Sequence, residues 1–447
     1  MHINPLKSAL NSSKRFTFKE PESVVDHIVV GGGVVGLAVA RYLAQRFPDK
    51  TTVLLERHTR AGEETSSRNS EVVHAGLYYP PGSLKTQLCL RGRQLMYEYC
   101  ERNSVPYRKA GKLVVARADQ LPYIESLHRK AQVLKVPPRW GFHEPLLPTK
   151  LIDGNEAREM EPSLSPQIAA ALYSSETGIV DSHSLMESFE RDIEDAGGSL
   201  VYATRVVRVD PSQSDAGWVV QAVTGDGSDS DAMLARVLIN SSGLSGPLIL
   251  NSLLPHDQQL PMYFARGSYA SYKGPGIERI SHLIYPCPAI ATRKDSHSFQ
   301  SLGTHLTLDL QGKVRFGPDL DWLAPPVSQE DEAVVDFWTQ YLVPDATRVR
   351  AMHAAITSYL PHVTLDGLQP DYSGIRPKLV GPGGGFQDFV FRLDMSSDFT
   401  HKAGGRGSPM INLLGIESPG LTSSMAIAEA VVEDLLIAKG LDLGDED

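Results

Sequence analysis

The sequence has few cysteines, no long apolar run and no excess of positive charge. Its three cysteines, Cys89, Cys100 and Cys287, form no C-x-x-C pair and no zinc-ligand spacing. This sparse, odd set is typical of a reducing compartment, and it predicts neither a disulfide framework nor a metal site. No stretch of about 18 apolar residues is present, so we expect no transmembrane segment, although peripheral membrane contact stays open. The net charge of −10 argues against nucleic acid as the main partner.

What the chain does contain, between His27 and Ala38, is the pattern of a strand, a G-x-G-x-x-G turn and a helix. Gly31 permits the tight turn, Gly33 lets the backbone approach a pyrophosphate, and Gly36 lets the helix pack on the strand. A second strand ends in Glu56, about 20 residues further on, where a carboxylate would bind the ribose of an adenosine. The combined pattern predicts a dinucleotide site at the helix N-terminus. The alternative, an ordinary glycine-rich turn, would not require the second strand and its acid.

Three features favour FAD over a nicotinamide dinucleotide. The fingerprint lies near the N-terminus and no second one follows, and residues 64–70 offer hydroxyl and amide groups to a long cofactor. Residues 415–424 precede a helix whose N-terminus would stabilise a reduced flavin ring, although a plain capped helix is the alternative. Arg57 is open to interpretation as a solvated charge. The predicted cofactor contacts are Gly31, Gly33, Val34, Val35, Gly36, Glu56, Arg57, Ser67, Asn69, Val206, Gly243, Gly420, Leu421, Thr422 and Ser423.

The first residues differ in composition from the rest of the chain. Residues 1–19 contain Lys7, Lys14, Arg15 and Lys19, several serines and no acid. Such a composition resembles a mitochondrial presequence, and the alternative is a short disordered arm. The first interpretation predicts a mitochondrial location, and without it the protein is expected in the cytoplasm.

The pattern beyond residue 23 predicts an α/β protein in which two kinds of sheet are interleaved. We expect a discontinuous dinucleotide-binding domain over 24–110, 175–245 and 370–440, and a substrate domain over 111–174 and 246–369. The second domain shows the short strands and Gly/Pro turns of an antiparallel sheet. Helices are predicted at 83–103, 184–196, 330–342 and 345–358. A single strand is predicted at 200–209.

Segments in order along most of the chain resemble the D-amino-acid-oxidase-like family of FAD oxidoreductases, and within it the L-2-hydroxyglutarate dehydrogenase branch. They lie at residues 28–38, 69–79, 83–85, 111–113, 177–181, 266–267, 284–286, 303–307, 374–376, 388–390 and 418–428. The segment 74–79 is also similar to flavin glycerol-3-phosphate dehydrogenases. Residues 377–378 and the glycine-rich stretch 381–385 depart from the branch's pattern.

This resemblance implies a Rossmann-like FAD-binding domain interleaved with an antiparallel-sheet substrate domain, as in glutathione-reductase-like flavoproteins. It implies oxidation of a small 2-hydroxy acid, L-2-hydroxyglutarate, to 2-oxoglutarate, with the α-hydrogen passing to flavin N5 as a hydride. An electron acceptor must then reoxidise the flavin. The sequence leaves open whether that acceptor is a quinone, an electron-transfer protein or oxygen.

Such a reaction needs a cation for the substrate carboxylate and a base for the hydroxyl proton. Arg376 is the predicted clamp, because a guanidinium binds a carboxylate through two parallel N–H groups, and a structural ion pair is its alternative. His74 and His305 are both candidates for the base, since imidazole titrates near working pH, and each is open to a structural role. Further substrate contacts are predicted at Tyr78, Tyr79, Arg266 and Lys378, the last two with a second carboxylate.

Two other functions remain open at this point. A flavin amine oxidase acting on an amino or N-methyl acid would keep the arginine clamp and oxidise a C–N bond instead. A flavoprotein without turnover, serving in complex assembly, would bind FAD and leave it oxidised with every candidate acid.

Overall fold

The computed structural model describes residues 3–141, 145–213, 216–227, 229–277, 279–288, 303–326, 335–400 and 407–442. The strands are β1 Ser23–Val30, β2 Thr52–Leu55, β3 Val72–Val73, β4 Tyr107–Arg108, β5 Lys112–Ala116, β6 Thr149–Asp153, β7 Ala170–Ser174, β8 Gly178–Val180, β9 Ser199–Val201, β10 Thr204–Pro211, β11 Trp218–Thr224, β12 Asp231–Asn240, β13 Tyr263–Tyr272, β14 Leu283–Pro286, β15 His305–Leu308, β16 Val314–Gly317, β17 Asp321–Leu323, β18 Leu368–Lys378, β19 Val390–Met395 and β20 Pro409–Leu414. The α-helices are α1 Val34–Arg46, α2 Leu84–Arg102, α3 Leu121–Gln132, α4 Gly154–Met160, α5 Ser182–Asp195, α6 Gly246–Asn251, α7 Val349–Ile356 and α8 Gly420–Glu429.

The first large sheet carries the dinucleotide fingerprint. Its eight strands include a parallel core in which β1 lies between β12 and β2, while β9 pairs with β2 and β20 pairs with β12. The strands β10 and β11 extend it on one side in antiparallel pairing. The apolar face of α1, including Leu37, Val39 and Leu43, is fully buried against this sheet and against α5 and α8. Burial of that face fixes the loop between β1 and α1 in space.

The second large sheet has nine strands and is mostly antiparallel. Its path runs β17-β13-β16-β15-β14-β5-β7-β6, and β18 also pairs with β13. Its strands come from residues 112–174 and 263–378, so it is interleaved in sequence with the first sheet. The predicted α/β fold class with two interleaved kinds of sheet is therefore confirmed. The domain boundary predicted at residue 370 falls inside β18, which belongs to this second sheet.

Several elements differ in detail from their prediction. The single strand predicted over 200–209 is two strands, β9 and β10, because the chain turns at Ala203, whose φ is +50°. The helix predicted over 345–358 is shorter, spanning Val349–Ile356. Only part of the predicted helix 330–342 lies within the described residues, and there Phe337–Leu342 is a 3-10 helix. Across the described ranges, no helix is both long and apolar enough to cross a membrane.

Candidate active site

The backbone geometry of the loop between β1 and α1 explains its three glycines. Gly31 has a φ of +104°, and a Cβ there would lie 2.7 Å from the carbonyl oxygen of Ser241. A Cβ on Gly36 would lie 1.9 Å from the carbonyl oxygen of Gly31, so this glycine is needed for the helix to approach the strand. A Cβ on Gly33 would meet only Ser66 Oγ, at 3.0 Å, within 4 Å. Gly33 therefore faces the space in which a phosphate would lie.

Two polar side chains hold this loop from outside. Glu56, at the end of β2, accepts hydrogen bonds from the backbone N–H of Gly32 at 2.6 Å and of His58 at 2.7 Å. Burial raises the pKa of the Glu56 carboxyl, although both hydrogen bonds act in the opposite direction. Ser66 Oγ accepts from Val34 N at 3.0 Å, at the start of α1. The neighbouring hydroxyl of Ser67, which sequence reasoning selected, donates instead to Gly62 O at 2.5 Å.

Arg57 lines the cavity, and its guanidinium is already paired with two carboxylates. Its guanidinium forms an ion pair with Glu64 and a second one with Asp336 at 3.0 Å. His58 Nε2 also lies 2.9 Å from Glu64. The positive charge of Arg57 is therefore paired within the protein, and the interpretation of Arg57 as a solvated charge is wrong.

A cavity of about 420 Å³ runs from the glycine loop to the second sheet. Most predicted cofactor positions line it, including Glu56, Asn69, Val206, Gly243 and Leu421. Thr422 and Ser423 are fully buried and do not line it. Thr422 Oγ1 accepts from His74 N at 2.9 Å and donates to Val72 O at 3.3 Å, which is a structural role. At the far end the cavity is lined by the predicted substrate residues His74, Tyr78, Tyr79, His305, Arg376 and Lys378.

Arg376 presents its guanidinium to this far end. It lies on β18 opposite Ala265 of β13, beside Gly267, where a Cβ would be 3.5 Å from Arg376 Nη2. Within the part of the chain that the structure describes, the guanidinium has no hydrogen bond and no salt bridge. Tyr269 lines the cavity nearby and stacks on Tyr372 with 4.4 Å between ring centroids. The N–H groups of the Arg376 guanidinium are therefore available to bind a ligand in the cavity.

A buried carboxylate with two lysines lies next to Arg376. Glu417 accepts from Lys378 Nζ at 2.7 Å and from Lys85 Nζ at 3.0 Å. Burial would raise the pKa of Glu417, but the charges of Lys85, Lys378 and Arg376 lower it to about 2. With three cations and one carboxylate, the cluster keeps two positive charges in surplus. We call Lys85, Arg376, Lys378 and Glu417 the cationic cluster.

Arg266 does not join this cluster. Its Nη2 lies 2.8 Å from Asp321 and 3.1 Å from Asp345, and the side chain does not line the cavity. The prediction that Arg266 contacts a second carboxylate therefore has no support in this geometry. Lys85 and Glu417 form the cationic cluster with Arg376 and Lys378 instead.

The two histidines lie in different surroundings at the same end of the cavity. His74 Nε2 is 3.2 Å from Ser418 Oγ, which in turn lies 3.3 Å from Tyr79 Oη. Burial, with the charges of Lys112 and Arg376, lowers the pKa of His74 to about 3. His305 begins β15 and stacks on Tyr285, with 3.6 Å between ring centroids. The lowered pKa favours the neutral imidazole of His74, the form that can accept a proton, and also makes that imidazole a weaker base.

Lys112 is a buried cation that sequence reasoning did not single out. It is 1% exposed, and its Nζ lies 4.6 Å and 4.7 Å from the ring centroids of Tyr78 and Tyr285. Among the described residues it has no carboxylate partner, so the two aromatic faces are what stabilise its charge. Burial lowers the pKa of Lys112 to about 7. The only sequence signal is a lysine at the start of the apolar strand Lys112–Ala116.

Comparison with known proteins supplies the family. The model of the DAO family, described as FAD dependent oxidoreductase, matches residues 26–434. The chain belongs to this family. It is 34% identical over 438 residues to L-2-hydroxyglutarate dehydrogenase, mitochondrial, of Arabidopsis thaliana, covering 92% of this chain and 83% of the relative. It is 27% identical over 442 residues to the human protein of the same name, covering 92% and 89%.

Solved structures agree with this DAO-family fold. The L-alpha-glycerophosphate oxidase of Mycoplasma pneumoniae, with FAD bound, has a TM-score of 0.71 at 19% identity and covers 92% of this chain and 94% of its own. The glycine oxidase of Geobacillus kaustophilus has a TM-score of 0.66 at 19% identity and covers 94% and 95%. The predicted cofactor, FAD, and the predicted class, an FAD-dependent oxidoreductase, are confirmed by the family.

Proposed function

We propose that this chain oxidises L-2-hydroxyglutarate to 2-oxoglutarate. One observation carries the proposal: at one end of the cavity, Lys85, Arg376 and Lys378 exceed Glu417 by two positive charges, and Arg376 has no hydrogen bond or salt bridge among the described residues. A substrate with two carboxylates fits that charge. The names of the relatives in Arabidopsis thaliana and Homo sapiens support the same substrate.

The residues at the other end of the cavity fit FAD. The open space at Gly33, the N-terminus of α1 and the carboxylate of Glu56 suit a pyrophosphate and a ribose. Val206 and Gly243 line the cavity beyond Glu56, where the adenine would lie. When bound, FAD supplies the oxidant that accepts two electrons from the substrate.

Arg376 would bind the carboxylate next to the hydroxyl group. Two parallel N–H groups fix the plane of a carboxylate as well as its position, so the α-carbon is held in one orientation. Lys378 and Lys85 would attract the second carboxylate, since Glu417 neutralises only one of their charges. Glu417 also fixes the positions of the two ammonium groups before substrate binds, which lowers the entropic cost of binding.

The hydroxyl proton would pass to His74 or His305, both of which line the cavity. Burial and two neighbouring cations keep the imidazole of His74 neutral but also make it a weaker base, so this shift does not rank His74 above His305. The same cations would stabilise the negative charge that develops on the substrate oxygen as its proton leaves. Tyr78 and Tyr79 line this end as well, as expected for substrate contacts.

Anaerobic reduction of the yellow protein tests the function directly. We expect L-2-hydroxyglutarate to bleach the flavin absorbance within one turnover, while 2-amino and N-methyl acids leave it oxidised. Bleaching by the amino or N-methyl acids alone would identify a flavin amine oxidase. A flavin that stays oxidised with every acid would identify a flavoprotein without turnover.

We also propose a mitochondrial location, because the relatives carry that word in their names. Reoxidation of the flavin requires an acceptor, which is a quinone, an electron-transfer protein or oxygen. Cell fractionation tests the location, and turnover assays with each class of acceptor test which one reoxidises the flavin. Signal in the cytoplasmic fraction alone would contradict the mitochondrial proposal.

A further inference from the structure

The N-terminal residues are built into the described fold at both of its large sheets. Leu6 N and Leu6 O exchange hydrogen bonds with Met262 at 2.9 Å and 2.8 Å, next to the second sheet. The Leu6 side chain is 1% exposed and lies in an apolar cluster with Leu248, Phe264 and Trp338. Asn251 Nδ2 also donates to Ser8 O at 2.9 Å. A chain that buries a leucine this fully is part of the core at this point.

The following residues are fixed to the first sheet. Phe16 is 6% exposed and packs with Val207 of β10 and Val223 of β11. Arg208 Nη1 donates to Phe16 O at 3.0 Å, and Gln221 Nε2 donates to Thr17 O at 3.0 Å. Lys19 Nζ donates to Ser230 O at 2.7 Å. The segment from residue 3 to residue 19 thus spans from one sheet to the other.

Between these two attachments the segment lines the cavity. Ala9, Leu10, Asn11 and Phe16 all contribute to its wall, on the side that also includes Val206. Leu10 N donates to Leu248 O at 3.1 Å. Asn11 Nδ2 donates to Phe16 O at 2.7 Å and its Oδ1 accepts from Phe16 N at 2.9 Å, so the turn between them is closed by its own side chain.

We propose that residues 3–19 form the outer wall of the adenosine end of the FAD site and remain part of the protein that holds FAD. Removal of this arm, as a cleaved presequence would require, uncovers the apolar surface of Met262 and Phe264 and opens the cavity at Val206. The proposal rests on the cofactor and not on the substrate, so it stands whichever acid is oxidised. It adds a contact to FAD that lies outside the glycine fingerprint.

Point variants test whether the packing of residues 3–19 affects the affinity for FAD. Leu6→Asp and Phe16→Ala each release one attachment, and Val133→Ala is the control, because Val133 is 66% exposed and lies outside the arm. We expect the dissociation constant of FAD, measured by flavin fluorescence on reconstituted apoprotein, to rise about tenfold in the first two variants and to stay unchanged in the third. Equal FAD affinity in all variants would overturn the proposal.

A second experiment does not depend on folding of the variants. A protease site inserted between Glu20 and Glu22, which are both exposed, allows the arm to be cut after FAD has been loaded. We expect FAD to be released at least several times faster from the cut protein than from the uncut one. Unchanged release after the arm has separated would overturn the proposal, and the unmodified protein's FAD content shows independently whether the cofactor assignment holds.

Limited proteolysis of the unmodified protein gives a third readout. Lys14 and Arg15 are exposed on the arm, and Lys150 is exposed on β6 far along the chain. We expect FAD to slow tryptic cleavage at residues 14–15 and to leave cleavage at Lys150 unchanged. Equal rates at the arm with and without FAD would contradict the proposed wall.

Discussion

The two ends of the cavity differ in whether their charged side chains already have partners within the protein. At the dinucleotide end, Glu56 is bound by two backbone N–H groups, and Arg57 is neutralised by Glu64 and Asp336. At the substrate end, Arg376 has no protein partner among the described residues, and Glu417 is shared between two lysines. A cofactor that stays bound can be held by neutral backbone donors and shape. A small dianion that must enter and leave needs charge that the protein has not already neutralised.

The largest effect is expected at the dinucleotide end. Gly33 has an extended backbone, with φ −75°, and a Cβ there meets only Ser66 Oγ, so Gly33→Val should fold and yet place methyl groups in the pyrophosphate space. We expect nearly complete loss of FAD, measured as the ratio of flavin to protein absorbance. Gly36→Val is the contrasting variant, because its Cβ would lie 1.9 Å from Gly31 O and disrupt the loop itself. Full FAD retention in Gly33→Val would remove this loop from the cofactor site.

The next effect concerns the base. Asparagine keeps a hydrogen bond but is not basic, so His74→Asn or His305→Asn should lower the rate of flavin reduction by about 10²–10⁴ in the variant that removes the base. The other variant should mainly raise the half-saturation concentration. Rapid mixing under anaerobic conditions measures both. Wild-type reduction rates in both variants would exclude a histidine base.

Arg376→Ala tests whether Arg376 binds the substrate carboxylate, and an arginine of the same sheet provides the control. A charged hydrogen bond contributes roughly 1.5–3 kcal/mol, so kcat/KM should fall by about 10- to 150-fold with FAD still bound. Arg376→Lys keeps the charge but loses the paired geometry and should also be impaired. Arg266→Ala is the control, since Arg266 is paired with Asp321 and Asp345 away from the cavity. A kcat/KM in Arg376→Ala that equals the control would exclude Arg376 from substrate binding.

A smaller and more selective effect is expected for Lys378→Met. Methionine keeps much of the length but not the charge, so kcat/KM for L-2-hydroxyglutarate should fall by about tenfold while that for 2-hydroxypentanoate, which lacks the second carboxylate, should not. Steady-state kinetics with both acids give the comparison. An equal fall with both acids would place Lys378 elsewhere than at the second carboxylate.

The smallest effect is on pH dependence. The pKa of His74 is lowered to about 3, so its imidazole stays neutral at neutral pH and kcat/KM should show no His74 limb between about pH 5 and 9. Lys112→Met removes one of the two cations that lower this pKa, so the acid limb should move to higher pH. A limb near pH 7 in wild type that disappears in Lys112→Met would instead report Lys112, whose own pKa is lowered to about 7. An unchanged profile would show that Lys112 does not act on His74.

The glycine loop was predictable because its signals are local. Spacing of glycines, a β-branched strand and a following acid can all be recognised within about 30 residues. Arg376 and the two histidines became candidates only through family resemblance, because single charged residues carry no positional signal of their own.

The cationic cluster and Lys112 could not be predicted from the chain. Lys85, Lys378 and Glu417 come from α2, β18 and the loop before α8, and only the packed fold brings them together. Lys85 stands in the first turn of α2, and lysines are usually exposed to solvent, but in the structure it is 4% exposed. Arg266 shows the reverse case, because its partners Asp321 and Asp345 are 55 and 79 residues away and remove it from the site.

Anaerobic flavin reduction by two acids of equal carbon number tests the central claim most directly. L-2-hydroxyglutarate and 2-hydroxypentanoate share the hydroxyl group and the first carboxylate, and differ in the second carboxylate. The surplus positive charge at the substrate end predicts that the reduction rate divided by the dissociation constant is about 10- to 150-fold higher for L-2-hydroxyglutarate, the value of one charged hydrogen bond. Equal values for the two acids would contradict the account.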